Sequence, residues 1–228
     1  MATILQIETA TSTCSAALSR NGETIALKAL NAPNIHAGSL TLFINEVMTQ
    51  AGSTYGDLDA VAVSMGPGSY TGLRIGVSTA KGICFAIDKP LIAISTLQLM
   101  TEGFLKDTPD YNGLICPMID ARRMEVFTAL YDVHLNEILP VTAKIIDETA
   151  YQAELENCEI TFIGDGAMKC KESIISKNAD FSAVNFNSAA YMSRLAFTAF
   201  QQKNFVDTAY FEPYYLKDFV ITPSKKKV

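Results

Sequence analysis

The sequence predicts an α/β protein made of two similar lobes, each with the element order βββαβα. Three observations lead there. Short apolar runs rich in β-branched residues, bounded by turn residues, alternate with longer stretches whose apolar residues recur at helical spacing. The order read over the first hundred or so residues recurs in pattern after residue 110. A chain of 228 residues, 49% apolar and 18% charged, is also long enough for two units with buried cores.

In the first lobe, expected over residues 1–107, Thr3 to Glu8, Cys14 to Ser19 and Glu23 to Leu30 read as an antiparallel meander. The stripe Leu40, Phe43, Ile44, Val47, Met48 then marks a helix that Gly52 ends. Ala60 to Met65 is apolar on both faces and reads as a buried strand. The loop Gly66-Pro67-Gly68-Ser69-Tyr70 leads from it into a helix over Thr71 to Ile87. In the second lobe, expected over 108–228, Leu114 to Ile119, Met124 to Asp132 and Glu137 to Ile146 are strands. A helix from Asp147, the strand Ile160 to Gly164 and another helix complete the repeat.

Net charge is −6, from 18 basic and 24 acidic residues. Three of the basic residues are Lys225, Lys226 and Lys227 at the end of the chain; setting them aside leaves 15 basic residues against 24 acidic. So acidic a body lacks the phosphate-neutralising patch that nucleic-acid binding requires, and weak nucleic-acid binding is expected of the chain by itself. Five cysteines without a CxxC pair indicate cytosolic usage. There is no basic residue before Arg20 and no apolar run of about 20 residues, so a cytoplasmic protein without a membrane segment is expected.

The duplicated unit, opened by the turn Glu8-Thr9-Ala10-Thr11, resembles the actin, sugar kinase and heat-shock chaperone superfamily (ASKHA, ribonuclease H-like). Four stretches make the resemblance specific: ILQIETATSTCSAAL from Ile4, SMGPGSYTGLRIGVSTAKG from Ser64, DARRMEVF from Asp120 and EPYYLK from Glu212. Together they resemble the TsaB (YeaZ) family. The resemblance implies a part in attaching a threonylcarbamoyl group to the adenosine beside the anticodon, in tRNAs reading codons that start with A. It further implies a non-catalytic subunit that binds TsaD, the transferase, with the ATPase TsaE joining. ATP and metal are then expected on the partner subunits, with no cofactor held by this chain.

Catalytic alternatives turn on a few residues. TsaD-like proteins place a metal on a helical His-x-x-x-His pair, whereas here His36 is followed four residues later by Leu40, so no metal site is expected. Ser69 lies in a Gly-rich loop but lacks the GxSxG elbow of a hydrolase, which leaves an inactive relative of a glycoprotease as an alternative. The turn at Glu8, Thr9 and Thr11 and the loop at Gly66 and Gly68 offer backbone N–H groups to phosphate. They form the candidate vestigial nucleotide site of a kinase-like reading.

Two helices are expected to meet the partner. One offers Leu40, Phe43, Ile44, Val47 and Met48; the other offers Gly72, Leu73, Gly76, Val77 and Ala80, a small stripe that permits close helix approach. The same faces would make a homodimer when the chain is alone. Asp120, Arg122, Arg123 and Glu125 form a charged hairpin, a candidate contact for a third protein.

Overall fold

The structure is a computed structural model that describes residues 1–217; the lysines at 225–227 lie outside the described residues. Three strands, β1 (Thr3–Glu8), β2 (Thr13–Arg20) and β3 (Glu23–Asn31), form the antiparallel meander expected. Helix α1 (His36–Gln50) follows, then β4 (Ala60–Gly66), α2 (Tyr70–Ile87), β5 (Leu91–Ser95) and α3 (Thr96–Asp107). Strand β4 pairs parallel to both β1 and β5, which gives the order β3-β2-β1-β4-β5.

The second half repeats the plan. Strands β6 (Leu114–Asp120), β7 (Glu125–Tyr131) and β8 (Glu137–Ile145) are antiparallel; β9 (Ile160–Ile163) and β10 (Ala179–Ser182) add in parallel beyond β6. The order β8-β7-β6-β9-β10 is that of the first sheet, which is the duplicated α/β class the sequence predicts.

The helices of the second half fall short of expectation. The one predicted from Asp147 is a single turn, α4 (Gln152–Leu155). Asp147 Oδ1 takes the Thr149 N–H at 2.9 Å, and Tyr151 sits at φ 62°, so the chain spends this stretch in turns. After β9 there is only a 3₁₀ turn, Met168–Cys170, because Gly164 at φ +98° redirects the chain and few apolar residues follow at helical spacing. The long helix of this half comes last, as α5 (Ser193–Gln201).

Strand alternation makes three cores. Leu5, Ile7, Val61 and Val63 face α1 and α2. The opposite face of the first sheet, with Ile4, Ala60, Ala62 and Ile92, meets α3, α5 and the inner face of the second sheet. The outer face of the second sheet packs Met118, Val126 and Phe162 against Tyr151 and Leu155. Helix α5 reaches α3 through a fork in which Arg194 Nε donates to Glu102 Oε1 at 2.6 Å. The two lobes thus share a core in addition to the chain that links them.

Candidate functional site

The C-terminal ends of β1 and β4 bring together the loops that the sequence marks as a phosphate cradle, and these loops close on each other. The Ser69 N–H donates to the Ala10 carbonyl at 2.6 Å. A Cβ on Gly68 would run into Ala10, one on Gly72 into the Thr9 carbonyl oxygen, and one on Gly76 into the Thr9 hydroxyl. At Gly66, which has φ +111°, a Cβ would lie 2.7 Å from the Tyr214 carbonyl oxygen. The glycines therefore serve close approach of this chain's own backbone. The closest neighbours of the two loops' glycines are the Thr9, Ala10 and Tyr214 backbone and the Thr9 hydroxyl.

Behind the loops lies Glu8, fully buried. Its Oε1 accepts the Ala10 N–H at 2.5 Å, while Oε2 has no hydrogen-bond partner among the described residues. Burial pushes the carboxyl up to about 7, against the partial pull of the Ala10 amide, the Ser64 hydroxyl and the Thr9 amide. Thr9 Oγ1 and Gln6 Oε1 are likewise buried and unpartnered. His36, 8% exposed, has Nε2 3.3 Å from the Thr13 carbonyl oxygen; Leu40, one turn on, is in the core. Among the described residues, no group of three or more His, Cys, Asp or Glu side chains is arranged to hold a metal ion.

The ten residues expected to face a partner do not form a free surface. Leu40, Phe43, Ile44, Val47 and Met48 pack inward on the first sheet, as do Leu73, Val77 and Ala80, and Gly72 and Gly76 seat α2 on the Thr9 turn. That expectation is corrected: a stripe of helical period reports which face is buried, and here this chain's own sheet buries it. Outward, α1 shows Leu42 (60% exposed) and α2 shows Arg74, Ser78, Gly82 and Phe85 (87% exposed). Phe85 was legible in sequence only as a large apolar residue off the stripe of Leu73, Val77, Ala80 and Cys84.

The C-terminal segment 207–217 straps α2 to the second lobe. Lys81 Nζ donates to the Ala209 and Phe211 carbonyls, both at 3.0 Å, and Arg74 Nε donates to the Tyr215 hydroxyl at 3.3 Å. The Tyr70 and Tyr215 rings lie 4.7 Å apart. The Tyr214 N–H donates to the Met65 carbonyl at 2.7 Å, and Lys217 pairs with Glu125 at the base of the β6–β7 hairpin. EPYYLK is thus the end of a strap that crosses from one lobe to the other.

The hairpin itself is held at every carboxylate. Asp120 Oδ1 accepts the Arg122 N–H at 2.8 Å and pairs with Lys169. Lys169 Nζ also donates to the Arg123 and Glu125 carbonyls, both at 2.7 Å, and Asp165 Oδ1 takes the Asp120 N–H at 3.0 Å. Lys169, which the sequence did not single out, is the organising residue. Arg122 and Arg123 are exposed and have φ of 71° and 50°, a left-handed conformation costing an L-residue about 1 kcal/mol or more each. Arg122→Gly with Arg123→Gly is therefore expected to stabilise the fold, raising Tm by roughly 2–4 °C per kcal/mol relieved. Thermal melts check this; a lowered Tm would mean that the side chains hold the loop.

Known proteins resemble this chain along most of its length. A family model described as TsaD, tRNA N6-adenosine threonylcarbamoyltransferase, matches residues 31–227. The tRNA threonylcarbamoyladenosine biosynthesis protein TsaB of Haemophilus influenzae is 30% identical over 96% of this chain and 94% of its own length. The chain belongs to the TsaB (YeaZ) family. TsaB of Escherichia coli is 36% identical over 59% of this chain and 57% of its own length. YeaZ from Pseudomonas aeruginosa superposes with a TM-score of 0.82 at 24% identity, covering 95% of this chain and all of that one, so the two share the fold. The TsaB family is that of tRNA threonylcarbamoyladenosine biosynthesis. Among the described residues, no helix is long and apolar enough to cross a membrane.

Proposed function

We propose that this chain is a non-catalytic scaffold and activator subunit, acting in the cytoplasm. It binds a TsaD-type threonylcarbamoyltransferase, is joined by a TsaE-type ATPase, and meets tRNA within that assembly. The observation that carries the reading is the near full-length similarity to TsaB of Haemophilus influenzae, beside loops at Thr9–Ala10 and Gly66–Gly72 that pack closely on each other.

The outward faces of α1 and α2, with Leu42 and Phe85, are the surface we assign to TsaD and, in its absence, to a second copy. An aromatic side chain this exposed on a helix suits an interface anchor, and losing such an anchor costs about 2 kcal/mol or more, roughly thirtyfold in affinity.

The test is reconstitution with TsaD and TsaE from the same organism. Threonylcarbamoyl transfer to tRNA is expected to require this chain, and adding TsaD is expected to convert the homodimer to a heterodimer. Phe85→Asp should melt like the parent chain yet fail to co-elute with TsaD. Transfer by this chain alone, or tight Mg-ATP binding and turnover by it, would overturn the reading in favour of a kinase-like enzyme.

A further inference from the structure

The loop between β6 and β7 breaks the usual turn chemistry at two successive positions. Backbone with φ of 71° and 50° is ordinarily given to Gly, Asn or Asp, and here it carries Arg122 and Arg123. Local rules are broken most often where a site demands it.

The surroundings sharpen what is demanded. Asp120 is paired with Lys169 and with a backbone N–H, Asp165 accepts another backbone N–H, and Glu125 is paired with Lys217. The carboxylates of Asp120, Glu125 and Asp165 are thereby engaged. The Arg122 and Arg123 side chains are exposed, and neither has an ion pair or hydrogen bond to the described residues. The loop is thus a rigid mount carrying two uncompensated guanidinium groups on an otherwise acidic protein of net charge −6.

We infer that Arg122 and Arg123 form an anion-binding fork for the phosphodiester backbone of RNA, and are this chain's own contact to tRNA. The inference rests on the proposed role as a subunit of a tRNA-modifying assembly. A guanidinium presents a planar pair of donors that matches phosphate oxygens, and arginine keeps its charge at any working pH. An acidic protein segment is the rival ligand. Protein interfaces draw their strength from a desolvated apolar anchor, and the loop itself exposes none, the exposed apolar side chains beside it being Ile145 and Met168. Phosphate recognition needs no such anchor. Two contacts on an acidic body also explain why useful affinity appears only when partner subunits add theirs.

The experiment is filter binding of unmodified tRNA by the assembled complex over a salt series, with R122Q/R123Q and R122K/R123K beside the parent chain. Glutamine is expected to weaken binding about tenfold or more and to flatten the plot of log K against log salt by about 1–2 units, since each phosphate contact contributes nearly one. Lysine keeps most of the slope, because counterion release counts charges. Co-elution of the three proteins stays unchanged in both variants. Unchanged affinity and slope with glutamine overturn the inference. So does loss of co-elution at unchanged slope, which would assign the arginines to an acidic protein surface. If the parent chain does not assemble with TsaD at all, the proposed function itself has failed, and the isolated chain at low salt decides. Retention of tRNA by the parent but not by R122Q/R123Q upholds the fork; equal retention, including none by either, overturns it.

Discussion

Gly72→Ala is expected to cost this chain about 3 kcal/mol or more, roughly 10 °C in Tm, although it adds only one methyl group. The added carbon would collide with the Thr9 carbonyl oxygen, which is backbone and cannot swing aside like a side chain. The turn is also fixed from its other side, because the Ala10 carbonyl takes the Ser69 N–H. Either α2 lifts from the first sheet, exposing part of the core built on Val77, Ala80 and Cys84, or the turn between β1 and β2 is displaced. Gly76→Leu should behave similarly by crowding Thr9, whose hydroxyl is already buried without a partner. Gly82 on the same helix has nothing within 4 Å of the point where a Cβ would stand, and Gly82→Ala should stabilise by about 0.5–1 kcal/mol through helix propensity. Thermal melts of the three variants separate close packing from a general intolerance of substitution. A Gly72→Ala protein that melts normally but no longer co-elutes with TsaD would return the small stripe to the partner interface.

The second large effect is on pH dependence, through Glu8. Its carboxyl is raised from 4.5 in the unfolded chain to about 7 in the folded one, chiefly by desolvation. Between those values the folded state holds a proton that the unfolded state has released, so folding stability falls as pH rises. The loss begins as pH passes about 4.5 and levels off above about 7. A shift of this size corresponds to roughly 3 kcal/mol across the window. Glu8→Gln cannot ionise and can still accept the Ala10 N–H, so it should remove this slope and make the chain more stable than the parent at pH 8. Urea denaturation at pH 5 and pH 8 on both proteins reads the difference. Equal pH dependence in the two would show that Glu8 is ionised and stabilised in the fold by groups other than those at Ala10, Ser64 and Thr9.

The strands were the most legible part of the sequence. Each of the eight predicted appears within a residue or two of its expected bounds, because alternation and β-branched runs are local signals that sheet pairing amplifies. Helices α1 and α2 were legible for the same reason, their apolar residues recurring at helical spacing, whereas β5 and α3 at the end of the first half were not predicted. The second half misled where the signal was weak: the segment after Asp147 has polar turn formers, and the Thr149 N–H on Asp147 and the left-handed Tyr151 keep it in turns up to Gln152, where a single helical turn begins.

By itself the sequence determined the duplicated α/β plan, the acidic charge balance and, through four motifs, the family. Those are properties of composition, local periodicity and residue identity, which are present before the chain folds. Only the tertiary structure decided which way the helix stripes face. A stripe of Gly72, Leu73, Gly76, Val77 and Ala80 reads the same whether it meets a partner or the chain's own sheet, and what fills the space opposite it comes from Thr9, more than sixty residues earlier. The same holds for the packing of the Thr9–Ala10 turn on the Gly66–Gly72 loop and for the arginine mount. Ala10 against Ser69, Tyr214 over Gly66 and Lys169 beneath Arg123 are long-range contacts between segments with no mutual signal in sequence. Their physical basis is burial and hydrogen-bond satisfaction, which exist only once both lobes have formed and the C-terminal strap has crossed between them.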